Sequence, residues 1–483
     1  MGFGIGFDGG RTKILFMAKY LILILAVWAP GWLVGQTAER LLSLEEVLAM
    51  AREQNLSLAI ANEGIATARA EAKELNALWY PTLAIAGEYS HSTTEIAAVT
   101  TIGEIGGELL GNLAPMVENN PIAGALLDGI SDVQLRLPIV PRNTAEVGME
   151  LVWVLFSGGR RVAALRISDR LLEVAYERYS ATENGVIAAV AGAYWSLALA
   201  QQLAEVRRTA LALHGEHLRQ ARRLEEEGMI NRAERLIAEV AYDECATLLA
   251  SAESEVRIAA EGIAMLLNVD STAIVPTTPL AIPRAIPCKE ELVAHISTAP
   301  AINALRSGED IAALTLKAER SRYMPTIALM AHQQLWSSGL DKNIFPRTVV
   351  GVGLSWTLFD GLAREGAIAR SKSALRTAQT AFEKGQRELH TAIDKYYAIL
   401  TTALEEYRTQ QTTIALAEEL HRAQVRAFNE GMATSSDVVA ATQQLSEVRL
   451  AQLATLYTID TSLATLLMLV GKANSLTTFF TAP

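Results

Sequence analysis

Cysteine is almost missing from this chain: Cys245 and Cys288 are the only two in 483 residues, so the fold is not a disulfide scaffold. Basic clusters are missing as well. The formal net charge is −11, with acids and bases mixed along helical stretches, so a nucleic-acid partner is not expected. Enzyme signatures are equally scarce. There is no Ser-His-acid or His-Glu-x-x-His pattern, and the glycine-rich GIGFDGG at 4–10 lacks the preceding strand and following helix that a phosphate-binding loop requires. His214 and His217 stand three apart with no carboxylate or thiol partner, which reads as two solvated surface residues rather than a metal site. Neither catalysis, nor a cofactor, nor a bound metal is expected. Beyond the N-terminus no run of about eighteen apolar residues stands out, so a transmembrane helix is not expected. Any entry into a membrane would be by strands.

What the chain does contain begins with Lys13 and Lys19 ahead of YLILILAVWAPGWLVG at 20–35. That run is too short and too proline-broken to span a bilayer comfortably, but it suits a signal-peptide core over 1–35, with cleavage near Gly35 or Ala38. No cysteine follows it, so no lipid anchor is expected.

The dominant feature is duplication. VGMELVWVLFSGGRRVAALRIS at 147–168 returns as VGVGLSWTLFDGLAREGAIARS at 350–371, an offset of 203 that also relates Glu227-Gly228-Met229 to Glu430-Gly431-Met432. Upstream, Tyr80-Pro81-Thr82 answers Met324-Pro325-Thr326 at a different offset, so the first copy carries a longer loop, roughly 95–142, of unassigned role. This gives a first repeat over 36–270 and a second over 290–472, joined by a proline-rich linker at 271–289 and followed by a tail at 473–483. Prolines in the linker forbid a regular helix.

Each repeat reads as helix, strand, strand, long helix, return helix. Ser43 with Glu46 forms a capping-box signature for the first helix, which runs with an interruption near Gln54-Asn55 to about Leu78. Strands are expected at about 80–91 and 145–156, then at 325–335 and 348–359. Long helices are expected at about 160–227 and 363–430, with return helices at 231–268 and 434–470. The strands alternate with period two: Leu83, Ile85 and Tyr89 oppose Glu88 and Ser90, and Val350, Val352, Leu354, Trp356 and Leu358 oppose Gly351, Gly353 and Ser355. Trp153 and Trp356, near strand ends, suit a membrane-interface girdle. Along the first long helix Leu165, Leu172, Tyr179, Val186, Ala193 and Ala200 recur every seven residues, a supercoiling pattern that calls for equally long neighbours.

Four strands per chain leave two open edges, and unpaired backbone groups in hydrocarbon cost several kcal/mol each. Spanning barrels have about eight strands or more, so chains must pool strands. A dimer supplies eight and a trimer twelve, and a duct with room inside prefers more. The duplicated strand-Leu-Phe-x-Gly-helix phrase, the Tyr-Pro and Met-Pro strand starts and the two Gly-Met turns resemble the TolC-type outer-membrane efflux protein family. The resemblance implies an α/β mixed membrane protein: a homotrimer whose chains share a 12-stranded outer-membrane barrel continued by a long periplasmic α-helical barrel.

It also implies sites. The turns at Gly228-Met229 and Gly431-Met432 match the tips that meet a periplasmic adaptor, with glutamate where the family usually has valine. Glu234 and Asp437 match acids that narrow the tunnel, and Phe428 matches an aromatic tether. Ala433 and Ala440 stand where a basic and a second acidic gate residue are expected. For either acid, the competing reading is pairing with a helix dipole, worth about 0.3–1 kcal/mol. The function implied is a passive exit duct in the outer membrane, contacting its lipid and working with an adaptor and an inner-membrane pump. The alternative is a non-transporting coiled-coil stalk or adhesin anchored in the same membrane.

Overall fold

The computed structural model describes residues 40–91, 99–101, 134–136, 143–269, 274–338 and 346–480. The expected signal peptide at 1–35 and most of the 95–142 loop lie outside the described residues. From the N-terminus, β1 (Arg40–Leu42) leads into α1 (Leu44–Gln54) and α2 (Leu56–Asn76). Next come β2 (Thr82–His91), the short pair β3 (Val99–Thr101) and β4 (Gln134–Arg136), and β5 (Asn143–Phe156). The first long helix is α3 (Arg160–Glu226) and its return α4 (Arg232–Leu267); β6 (Ile274–Pro276) and α5 (Lys289–Ala294) follow. The second half runs through α6 (Pro300–Arg320), β7 (Thr326–Ser338), β8 (Thr348–Ser355), α7 (Ala363–Asn429) and α8 (Ser435–Leu469).

Each long helix has 67 residues, about 100 Å at 1.5 Å per residue. Two shorter helices stack end to end to match that length. Asn55 caps α2 by accepting from the Ser57 amide at 2.9 Å, while its Nδ2 donates to the Leu266 carbonyl at 2.8 Å, so α2 continues the line of α4. At the other joint Gly471 has φ +73°, and a Cβ there would sit 2.6 Å from Pro300 Cδ. Only glycine satisfies both the turn and the contact with the start of α6. Packed side by side, α2 and α4 flank α3, whereas α6 and α8 bridge α3 to α7.

A belt holds the middle of this bundle. The Ser43–Glu46 capping box forms as expected from the sequence, and α1 buries Leu44, Val47, Leu48 and Ala51 against α3. Tyr194, fully buried, donates its hydroxyl hydrogen to the Leu42 carbonyl at 2.9 Å and accepts from the Thr278 amide at 2.8 Å. The linker is not merely irregular: Ile274–Pro276 pairs parallel with Arg40–Leu42. Proline excludes a helix there but tolerates an edge strand. The tail also packs, with Leu476 buried and the Arg284 amide donating to the Phe479 carbonyl at 3.1 Å.

Two helix expectations change. Val186 and Ala200 of the seven-residue series are buried, but Leu165, Leu172, Tyr179 and Ala193 are only partly so. The tightest burial lies beside them, at Ile187, Val190, Ala191, Tyr194 and Trp195, because α3 is covered from several directions and a single seam cannot describe it. In addition, α3 is long and apolar enough, by length and composition, to cross a membrane, contrary to the expectation of no such segment. Its apolar centre instead fills the belt core, where Ile187, Val190, Tyr194 and Leu197 are wholly buried.

The four long strands form one antiparallel sheet in the order β2-β5-β7-β8, leaving β2 and β8 as its edges. β7 runs on to Ser338, past the expected 335. By contrast β8 stops at Ser355, four residues before the expected 359. Thr326, the first residue of β7, pairs with Ser355, so nothing is left for Trp356 to pair with, and the alternation of Trp356 and Leu358 outlasts the ladder. The chain then turns through Gly361 and Leu362, both at positive φ.

Candidate functional site

Strand alternation sorts the sheet into two chemically opposite faces. Leu83, Ile85, Val350, Val352 and Leu354 are between 61% and 71% exposed, and cross-strand pairs such as Leu83 with Leu151 and Ile85 with Met149 continue the apolar surface. A band of this extent is what hydrocarbon covers, not water. On the other face Glu88 pairs with Glu146 and Glu150 with His332. His332 Nε2 lies 2.7 Å from Glu146 Oε1. Between them Gly148 carries no Cβ, and one would collide with the His332 ring.

Where strands become helices, the two halves build the same joint. In the first, Trp153 Nε1 donates to the Trp79 carbonyl at 2.9 Å, and Arg161 Nη1 donates to the carbonyls of Val154 at 2.6 Å and Leu78 at 3.2 Å. The Arg161 guanidinium lies 3.8 Å over the Trp79 ring. In the second, Trp356 Nε1 donates to the Tyr323 carbonyl at 3.0 Å, and Arg364 reaches the carbonyls of Thr357 and Leu358 at 2.8 and 2.9 Å while lying over Tyr323. Strand ends leave carbonyls without ladder partners, and a forked guanidinium satisfies several at once. The joints are also seated on each other: Gly158 (φ +63°) lies so close that a Cβ would be 2.6 Å from the Ser321 carbonyl. Sequence reading missed Arg161, Arg364, Trp79 and Tyr323 as a set. The visible signal was an arginine at the same place in both copies of the repeated phrase.

At the far end, both long helices stop in the same six-residue hydrogen-bond motif. Gly228 (φ +75°) and Gly431 (φ +73°) take the left-handed position. Met229 N donates to the Leu224 carbonyl and Met432 N to the Ala427 carbonyl, each at 2.8 Å, closing the helix end in the way a following glycine allows. Glu227 and Glu430 are the C-cap residues. Met229 and Met432 are left 63% and 73% exposed.

Just past these turns lie the acids singled out from the sequence, and both are engaged with helix N-termini. Asp437 Oδ2 accepts from the Thr434 amide at 2.8 Å and hydroxyl at 2.7 Å, completing a capping box. Those donors, hydroxyl foremost, hold its carboxyl below the usual aspartate range. Glu234 reaches across the duplication: its Oε2 accepts from the amide of Ser435 at 2.7 Å, so an acid on α4 supports the start of α8. Phe428 is 2% exposed, within a cluster of Leu218, Ala221, Ala238 and Val438, and its ring meets His217 edge-on at 4.7 Å. His214 and His217 depart from expectation. Both are buried, and His217 Nε2 lies 2.7 Å from Ser435 Oγ, because small neighbours such as Ala221 and Ala238 let the helices close over them.

A sheet with an exposed apolar band and a charged opposite face, continued through two joints into helices of about 100 Å, defines an outer-membrane channel protein with a periplasmic extension. The chain belongs to the outer membrane efflux protein family, whose sequence model matches residues 47–269 and 294–472. It is 28% identical over 269 residues to protein CyaE of Bordetella pertussis, an alignment covering 52% of this chain and only 55% of CyaE. It is 23% identical over 314 residues to the outer membrane efflux protein BepC of Brucella suis, covering 64% and 68% of the two chains. The crystal structure of the outer membrane protein VceC from Vibrio cholerae superposes with a TM-score of 0.70 at 15% identity, over 89% of this chain and 96% of VceC. That likeness is one of fold.

Proposed function

We propose that three copies of this chain close a 12-stranded barrel and a helical tunnel beneath it, forming a passive exit duct without catalysis of its own. The observation that carries this is the two-faced sheet with two free edges. Hydrocarbon on one face requires the unpaired groups of β2 and β8 to find partners, and the Glu88, Glu146, Glu150 and His332 face requires water on the other. Copies of the same chain supply both. Energy would come from an inner-membrane pump through a periplasmic adaptor, with the exposed Met229 and Met432 beside Gly228 and Gly431 as pliable apolar contacts for that adaptor.

Reconstitution in planar bilayers tests the duct against the stalk alternative, since a stalk passes no current. The duct is expected to conduct and to favour potassium over chloride, because the carboxylates line its lumen. Replacing Glu88, Glu146 and Glu150 with glutamine should move the reversal potential toward the non-selective value while leaving a conducting pore. An unchanged reversal potential would place those carboxylates off the ion path.

The gate belongs to the same reading. Glu234, Asp437 and Phe428 hold the tips closed: Glu234 by tying one hairpin to the next, Asp437 by fixing the start of α8, and Phe428 by anchoring the end of α7. Glu234→Ala with Asp437→Ala should raise single-channel conductance severalfold, with Glu234→Ala alone giving the larger share because it removes the contact between repeats. Conductance equal to that of the unmodified protein would remove both acids from the gate.

A further inference from the structure

Three histidines lie within electrostatic reach of one another near the tips: His214 and His217 on α3 and His421 on α7. His217 is 4% exposed and its Nε2 lies 2.7 Å from Ser435 Oγ; among the described residues its buried Nδ1 has no partner. Ser435, fully buried, is the first residue of α8, and its amide is the group that Glu234 accepts from. Elements of both repeats therefore converge on one residue: His217 from the first long helix, Glu234 from the first return helix, and Ser435 itself from the second return helix.

Among the described residues no carboxylate pairs with the His217 ring. On its own helix the neighbour is His214; from α7 come His421 and the apolar Phe428. On α8, Asp437 is turned into its own cap, and Arg449 faces His421. On α4, Glu234 is engaged with the Ser435 amide. With the neutral ring's proton on Nε2 and donated to Ser435 Oγ, a second proton at Nδ1 leaves that bond in place but creates a buried, charged donor with no acceptor beside two further imidazoles.

We propose that His217 is a proton-operated latch of the tips, packed closed against Ser435 while neutral and driven into water when protonated, because the buried site has nothing to receive the charged ring's second N–H. The direction of the pH effect is fixed by linkage. Burial, followed by the two neighbouring histidines, depresses the His217 pKa to about 4 from an ordinary 6.5, and burial likewise lowers His214 and His421. An opened tip, with the ring in water, binds more protons in that window, so the closed state loses relative stability as pH falls from 6.5 towards 4 and loses no more below it.

The effect on flow rests on the duct reading, so the test carries two readouts. Spin labels at Met229→Cys and Met432→Cys, in a Cys288→Ser background, report tip separation by pulsed dipolar spectroscopy, and bilayer conductance is followed over the same acid step. Acidification from pH 7.5 to 5.0, which stays above the ordinary carboxylate range, is expected to broaden and lengthen the distance distribution and raise conductance severalfold. His217→Gln keeps a neutral hydrogen-bonding group without a titrating ring, and should abolish both responses although Glu234 and Asp437 remain. Ser435→Ala should show the widened distribution already at pH 7.5. Distances that ignore acid, or that respond equally in His217→Gln, overturn the latch. Distances that respond in the absence of any current leave the latch standing and overturn the duct.

Discussion

Replacing Arg364 with alanine is expected to lower the melting temperature of the detergent-solubilised protein by several degrees, and replacing Arg161 as well should lower it further. Arg364 is 5% exposed and Arg161 9%. Each reaches at least two carbonyls at a strand-to-helix joint and covers an aromatic ring. A hydrogen bond to a charged group contributes about 1.5–3 kcal/mol and a desolvated cation–π contact up to about 2, set against the cost of burying the guanidinium. Truncation also takes the donor from the carbonyls that the guanidinium served. A net loss of roughly 3–5 kcal/mol per joint follows. Lysine should rescue little, because a single ammonium cannot span two carbonyls and stack at once. Equal melting of Arg364→Ala and the unmodified protein would mean that the joint is held by the strands alone.

The joints show where sequence reading reached and where it stopped. The repeated phrase revealed that a strand becomes a helix twice, because alternation and helical composition are local properties. It did not reveal that Trp79 and Tyr323 receive the arginines, since those residues lie 82 and 41 positions upstream and only folding brings them near. The end of β8 was misjudged for a related reason. Trp356 and Leu358 keep the strand rhythm, but a strand lasts only as long as its partner, and β7 begins at Thr326. The Gly-Met turns were legible because a left-handed residue closing a helix almost demands glycine. The tip histidines were not. Nothing in the pattern around His217 announces burial, which depends on how closely the small residues of four helices approach. Likewise β1 and β6 are three residues each and have no periodicity to read.

Asp460 offered a signal in the sequence that composition alone would pass over: one acid inside the apolar run from Leu456 to Val470. It is fully buried on α8, and among the described residues neither carboxylate oxygen has a hydrogen-bond partner. The Ala281 amide lies on its side without reaching hydrogen-bond geometry. Burial dominates and pushes its pKa up to about 8, against an opposing pull from that amide. The sign follows directly. Unfolded chains release this proton near 3.8 while the folded chain keeps it to about 8, so the folded state binds more protons between these values and its stability falls as pH rises through that window. At pH 7 the cost is of order 4 kcal/mol. Asp460→Asn preserves shape and cannot ionise. It should therefore melt several degrees above the unmodified protein at pH 7, match it near pH 4, and lack the decline between the two. Parallel pH profiles for the two proteins would show that Asp460 is ionised in the fold and finds its partner there, and that the belt around Ala281 compensates the charge.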